Sequence, residues 1–238
     1  MPYRRLPNTD QARLRALRTA ITMEERQGYS RHIISFKTVL EAKNYLTVFE
    51  QHQRMYLQSL ENQVKANKHY QQMIYKVRMY ISHFLQVFNM SVIRGEIKKE
   101  HKRLYHLDVD SNTVPDLSTE QAVLEWGKNV IEGEEERVRN GGMPIYNPTI
   151  AKVKVHYDVF REYKSTQKIY QQTTNRNWEE MVILRKQGDE IIVQLWNEIE
   201  EHFRELAPYE RLVRCKEYGV IYYYRKGEKL LTPQSDRG

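Results

Sequence analysis

A single cysteine, Cys215, stands in 238 residues. No intramolecular disulfide can form, so no covalent staple holds the fold and an oxidising compartment is not implied. Glycine and proline are missing from Phe36 to Arg94, a run of 59 residues. Without these breakers, helix is the natural state of the stretch. Long apolar runs are lacking too. The longest uncharged run, Met79 to Ile93, has 15 residues and contains Ser82, His83, Gln86 and Asn89. It is too short and too polar to cross a bilayer. The start, Met1-Pro2-Tyr3-Arg4-Arg5, has no apolar segment of the signal-peptide kind. A cytoplasmic protein without membrane contact is expected.

The motifs of common chemistries are missing as well. Gly127 and Gly133 lie in a helical pattern without the Lys-Ser/Thr of a phosphate loop. There is no His-Glu-x-x-His, no Gly-x-Ser-x-Gly and no Glu-x-x-His for a di-iron bundle. Glu100-His101 and Glu201-His202 are adjacent pairs, which point different ways on a helix. Cys215 by itself cannot begin a zinc site, and Arg211, Arg214 and Lys216 around it do not make it reactive without exposure. His83, in the apolar run Tyr80–Val87, has no second ligand at metal spacing and reads as a boundary residue. No catalytic residue, cofactor or metal is expected.

What is present is periodicity. Val39, Ala42, Leu46, Phe49, Tyr56 and Leu60, then Tyr70, Ile74, Val77, Ile81, Phe84 and Phe88, recur at steps suited to one buried helical stripe. The stripe returns as Ile150, Val153, Tyr157 and Phe160, then Met181, Ile192, Leu195 and Ile199. One helix over the first stretch would be about 88 Å long. Gln53, Gln63 and Asn67 interrupt its stripe. A fold-back near Gln63–Asn67 would give two helices close in length to the first helix, Thr9–Arg26, so a hairpin is favoured. The heptad phase runs unbroken through the polar middle, which is what a long antiparallel coiled coil would show instead. Thr173 to Asn177 reads as the same break in the second stretch.

Helix boundaries follow from caps. Asn8 with Gln11 has capping-box spacing, Gly28 ends the first helix, and Ser35 can cap the next. Asp108 to Pro115 is a turn-rich linker. Asn140-Gly141-Gly142 needs positive φ, and Asn147-Pro148 opens the second long stretch. Leu212 and Val213 lie in a short helix ending at Gly219. Val220 to Tyr224 reads as a strand, with Leu104 to Val109 as its candidate partner or a second molecule as the rival. Thr232 to Gly238 looks frayed.

The chain also resembles itself. Asn8-Thr9-Asp10-Gln11-Ala12-Arg13-Leu14 aligns with Ser118-Thr119-Glu120-Gln121-Ala122-Val123-Leu124 at an offset of 110. Ile21, Glu24 and Glu25 match Ile131, Glu134 and Glu135. After the loop the offset becomes 111, pairing Phe49 with Phe160 and Ile81 with Ile192. Tyr105-His106-Leu107 and Tyr218-Gly219-Val220 look like worn copies of one ending. An internal duplication follows, with units 1–111 and 112–238.

Trp126–Glu134, Gly141–Pro148 and Glu217–Lys226 carry a further likeness. In them the chain resembles an uncharacterised bacterial family of tandem helical-bundle proteins. That resemblance implies an architecture and transfers no functional residue.

Charge divides unevenly. Residues 1–111 hold 19 basic and 10 acidic side chains, the remainder 19 and 21. Arg4, Arg5, Arg15, Arg18 and Arg26 form a possible basic contact face. The expected fold is all-α, two antiparallel helical-bundle units with a small β element near the C-terminus. The expected function is a non-enzymatic structural or protein-interaction role, with a protein partner or homodimer. Binding of nucleic acid or another acidic partner through the basic first unit is the alternative.

Overall fold

The computed structural model describes residues 2–27 and 32–232. Of these, 73% are helical. In order come β1 (Tyr3–Arg4), α1 (Asp10–Arg26), α2 (Phe36–Ile93), a 3-10 helix (Lys99–Tyr105), α3 (Glu120–Arg139), α4 (Ile150–His202), α5 (Pro208–Glu217) and β2 (Tyr222–Tyr223).

The hairpins expected in the long stretches do not form: α2 and α4 are each one continuous helix. Polar stripe positions do not act as a turn signal here, because Gln, Glu, Lys and Ala are good helix formers wherever they face. Between Phe49 and Tyr70 the only buried residue of α2 is Ser59. Thr173 and Thr174 return their hydroxyls to the carbonyls of Ile169 and Tyr170, both at 3.0 Å, and so sit inside α4 without breaking it.

Contacts group the chain into two compact units. The first is Met1–Gln58 with Asn175–Gly238, the second Ser59–Thr174. This division differs from 1–111 and 112–238. Each compact unit takes the leading part of one sequence half and the trailing part of the other. The core of the first unit gathers Leu17, Ala20, Phe49, Ile192, Trp196 and Ile199. That of the second gathers Ile81, Phe84, Phe88, Val130 and Phe160. Phe49, Phe160, Ile81 and Ile192 are all fully buried, as the periodicity requires.

Several boundaries differ from expectation. Thr9, not Asn8, caps α1, accepting the Ala12 N–H at 3.2 Å, and Thr119 caps α3 in the same way. Ser35 does cap α2, taking the Thr38 N–H at 3.3 Å. At the start of α4 the cap is Thr149, which accepts from Lys152, and not Asn147. Gly28 lies outside the described residues, as do residues 233–238 of the tail.

The strand finds an unexpected partner. Leu104 and Tyr105 belong to the 3-10 helix, so Leu104–Val109 cannot pair with the C-terminal strand. Instead β2 pairs antiparallel with β1, Tyr3 opposite Tyr223 and Arg4 opposite Tyr222. The Arg5 N–H extends the ladder to the Ile221 carbonyl at 2.9 Å. Apolar alternation over Tyr105 and Leu107 served a helix end, where His106 takes φ 57°.

Candidate interaction surfaces

Polar interiors show what a helical protein uses its ionisable groups for. In the second unit Glu134 and Arg137 are both buried, three residues apart on α3. The Arg137 guanidinium donates to both Glu134 oxygens at 2.8 Å and to the Met143 carbonyl at 2.7 Å. Tyr105 donates its hydroxyl to Glu134, and the Ile145 N–H donates at 3.0 Å. Glu134 thus accepts four bonds, about the capacity of a carboxylate. No lone pair is left to take a proton from a substrate. Burial and the Glu134 charge hold the Tyr105 phenol well above its ordinary pKa, so it stays a donor. Gly142 makes room for the arrangement, since a Cβ there would lie 2.6 Å from Arg137 Nη1.

The first unit has a buried carboxylate of its own at Glu24. Buried Glu24 accepts the Ile33 and Ile34 N–H groups at 3.0 and 3.3 Å, with the His32 ring at 3.0 Å. Glu198 on α4 is saturated like Glu134. It takes Ser35 N and Oγ, Thr38 Oγ1 and Gln194 Nε2, at 2.6–3.4 Å. Burial works against its charge, but these donors outweigh it and hold its pKa below the usual range. Ion pairs tie α1 to α4 within the same unit: Arg13 to Asp189 and Arg185 to Asp10, each bidentate.

Among the surface hollows of the described residues, two have markedly polar linings. A groove of about 980 Å³ between α2 and α4 in the first unit has Tyr45, Leu184 and Ile191 on its floor and Lys37, Glu41 and Gln194 on its rim. A cleft of about 760 Å³ in the second unit is lined by Arg94, Lys98, His101, Arg137 and Tyr146 among others. It lies at the C-terminal ends of α2 and α3, where helix dipoles favour cations. Arg94 is taken up by Glu96 at 2.8 Å and Arg137 by Glu134. Arg94 and Arg137 are thus committed to the protein's own carboxylates.

The arginines read from the sequence are all exposed. Arg4 donates to Asn197 at 2.7 Å, and Arg18 pairs with Glu50 at 2.7 Å. Arg15 and Arg26 have no ion pair among the described residues. Arg13, their neighbour, is buried against Asp189. His83 is exposed rather than at a boundary. Cys215 is buried and burial pushes its thiol up, so it is a quiet packing residue.

Sequence reasoning missed the Glu134–Arg137–Tyr105 centre. A signal was there: Glu24 and Glu134 align at an offset of 110, and Arg137 follows Glu134 at a helical i, i+3 spacing. Tyr105 could not be found, since its approach is tertiary. Also missed was Lys102, almost fully buried and donating to the Ser111 carbonyl and Asn112 Oδ1 at 2.8 and 2.6 Å. It fastens the linker to the 3-10 helix. Among family models, curated proteins and solved structures, none matches the chain.

Proposed function

We propose that this is a non-enzymatic structural or protein-interaction protein, built from two related helical copies, 1–111 and 112–238, and akin to the bacterial tandem helical proteins it resembles. The observation that carries the reading is the saturation of two interior carboxylates, Glu134 fully buried and Glu198 half-buried. Glu134 and Glu198 each accept four bonds from the protein's own donors. Groups so committed hold loops and helices in place. They are not poised to exchange protons with a substrate.

Matched details support the two-copy reading. Ile34 N–H reaches Glu24 and Ile145 N–H reaches Glu134, at offsets of 110 for the acid and 111 for the isoleucine. The copies end alike. Val220 N–H bonds the Cys215 carbonyl at 3.1 Å after Gly219 at φ 87°, and Leu107 N–H bonds the Lys102 carbonyl at 3.0 Å after His106 at φ 57°. That is the helix-ending geometry of a left-handed residue with a six-to-one bond. Phe84 and Leu195, like Phe88 and Ile199, are matched and buried.

The test is untagged purification from the native host, followed by reconstitution with the purified partner. A stoichiometric complex is the expected result. A chain that stays alone and turns over a small molecule would overturn the reading.

A second reading, contact with nucleic acid or another acidic partner, is favoured by Arg15 and Arg26, exposed and without an ion pair among the described residues. Its original basis is weaker in the fold. The compact units carry 21 basic against 17 acidic and 17 against 14 side chains, net +4 and +3. Salt-sensitive retention on heparin, lost in Arg15→Glu/Arg26→Glu, would establish it.

A further inference from the structure

We infer that Arg13 with Asp189, and Tyr45 with Gly188, form a pairing code by which each half of the chain accepts the other half and rejects a second copy of itself. The inference rests on the two-copy reading above. Residues 1–58 meet 175–238 in the first unit, and 59–111 meet 112–174 in the second. Two copies of a single half could in principle exchange parts in the same way, as a symmetric pair. The matched positions say what such a pair would bring together.

Arg13 Nε and Nη2 donate to the two Asp189 oxygens at 2.8 and 2.9 Å. The position matched to Asp189 in the first half is Arg78. Self-pairing of 1–111 would therefore set the mostly buried Arg13 against another arginine, where like charge is costly. Tyr45 donates to the Leu184 carbonyl at 2.7 Å. It can do so because residue 188 is glycine. A Cβ there would lie 2.2 Å from the Tyr45 hydroxyl and 2.8 Å from its ring. The matched residue in the first half is Val77, whose side chain would fill that space.

The second unit answers both positions differently. Val123 stands where the first unit has Arg13, and it is fully buried. Arg78 turns instead to the Ser118 carbonyl at 2.8 Å. His156 stands at the place of Tyr45 and stacks on Tyr80, ring centroids 4.2 Å apart, and Tyr80 packs against the core that holds Val77. Each unit thus holds a compatible set, while each crossed combination carries a clash or an unmatched charge. Rejection of the wrong partner by such terms is how closely related surfaces are kept apart.

The test uses the intact chain. Gly188→Val and Asp189→Arg each install the residue found at the matched position. Each is expected to lower the melting temperature by more than about 4 °C. Adding Tyr45→His to the first and Arg13→Val to the second should recover at least half of each loss. Double variants melting no higher than the worse single variant would overturn the code. A second measurement cuts a protease site inserted after Thr113 in the folded protein. The halves should stay together as a 1:1 complex by light scattering and re-form it after separation in denaturant. A self-paired 1–111 as stable as the mixed complex would also overturn the code. Halves that part as two independently folded pieces would instead overturn the two-copy reading beneath it.

Discussion

At the scale of residues, buried positions follow two kinds of logic. Apolar ones follow the helical period. Phe49 and Phe160 are completely buried in separate cores, so Phe49→Ala or Phe160→Ala should each cost about 3–5 kcal/mol in urea unfolding. Unchanged midpoints would mean the stripe is not the core. Polar ones follow partners that no period announces. Removing Glu134 would leave Arg137 buried without its counter-charge, and Glu134→Ala should cost about 3–5 kcal/mol. His156 adds a pH dependence. Burial, then the charges of Lys76 and Lys152, lower its pKa below the ordinary value. The unfolded chain therefore binds the proton more readily. Its contribution is present above an unfolded pKa of about 6.5 and is lost as pH falls through the lower folded value. His156→Gln should flatten the stability profile across that window, and a profile identical to the parent's would remove His156 as its source.

At the scale of elements, the existence of each α-helix was legible, whereas the 3-10 helix over Lys99–Tyr105 and the continuity of the long helices were not. Missing glycine and proline spoke for continuity. Gln53, Gln63 and Asn67 spoke against it only if every helical position must meet a core. In the folded chain Gln53 and Gln63 are half-buried and Asn67 exposed, and the helix does not need them to be apolar. The β element was legible as a strand but not as a pair. Val220 belongs to the turn after α5, and of the expected strand Ile221, Tyr222 and Tyr223 take part in the ladder. Their partner lies at the opposite end of the sequence, a separation no local pattern encodes. Deleting residues 2–5 should therefore lower the melting temperature and leave the mass unchanged. A drop in mass by light scattering would show that β2 pairs between chains.

At the scale of the molecule, circular dichroism should report close to the 73% helix of the described residues. A content below roughly 40%, little above the globular average, would be incompatible with two helices of 58 and 53 residues. The helical character of the long stretches and the burial of Phe49, Ile81, Phe160 and Ile192 were determined by the sequence alone, because helical period acts over a few residues. Which half completes which core was decided only in three dimensions. Both halves carry nearly the same stripe, and a stripe does not name its partner. The selection lies in contacts such as Arg13 with Asp189 and Tyr45 against Gly188, separated by 176 residues in the first case. The same physics redistributes charge: what is lopsided along the chain becomes nearly even once each compact unit draws on both halves.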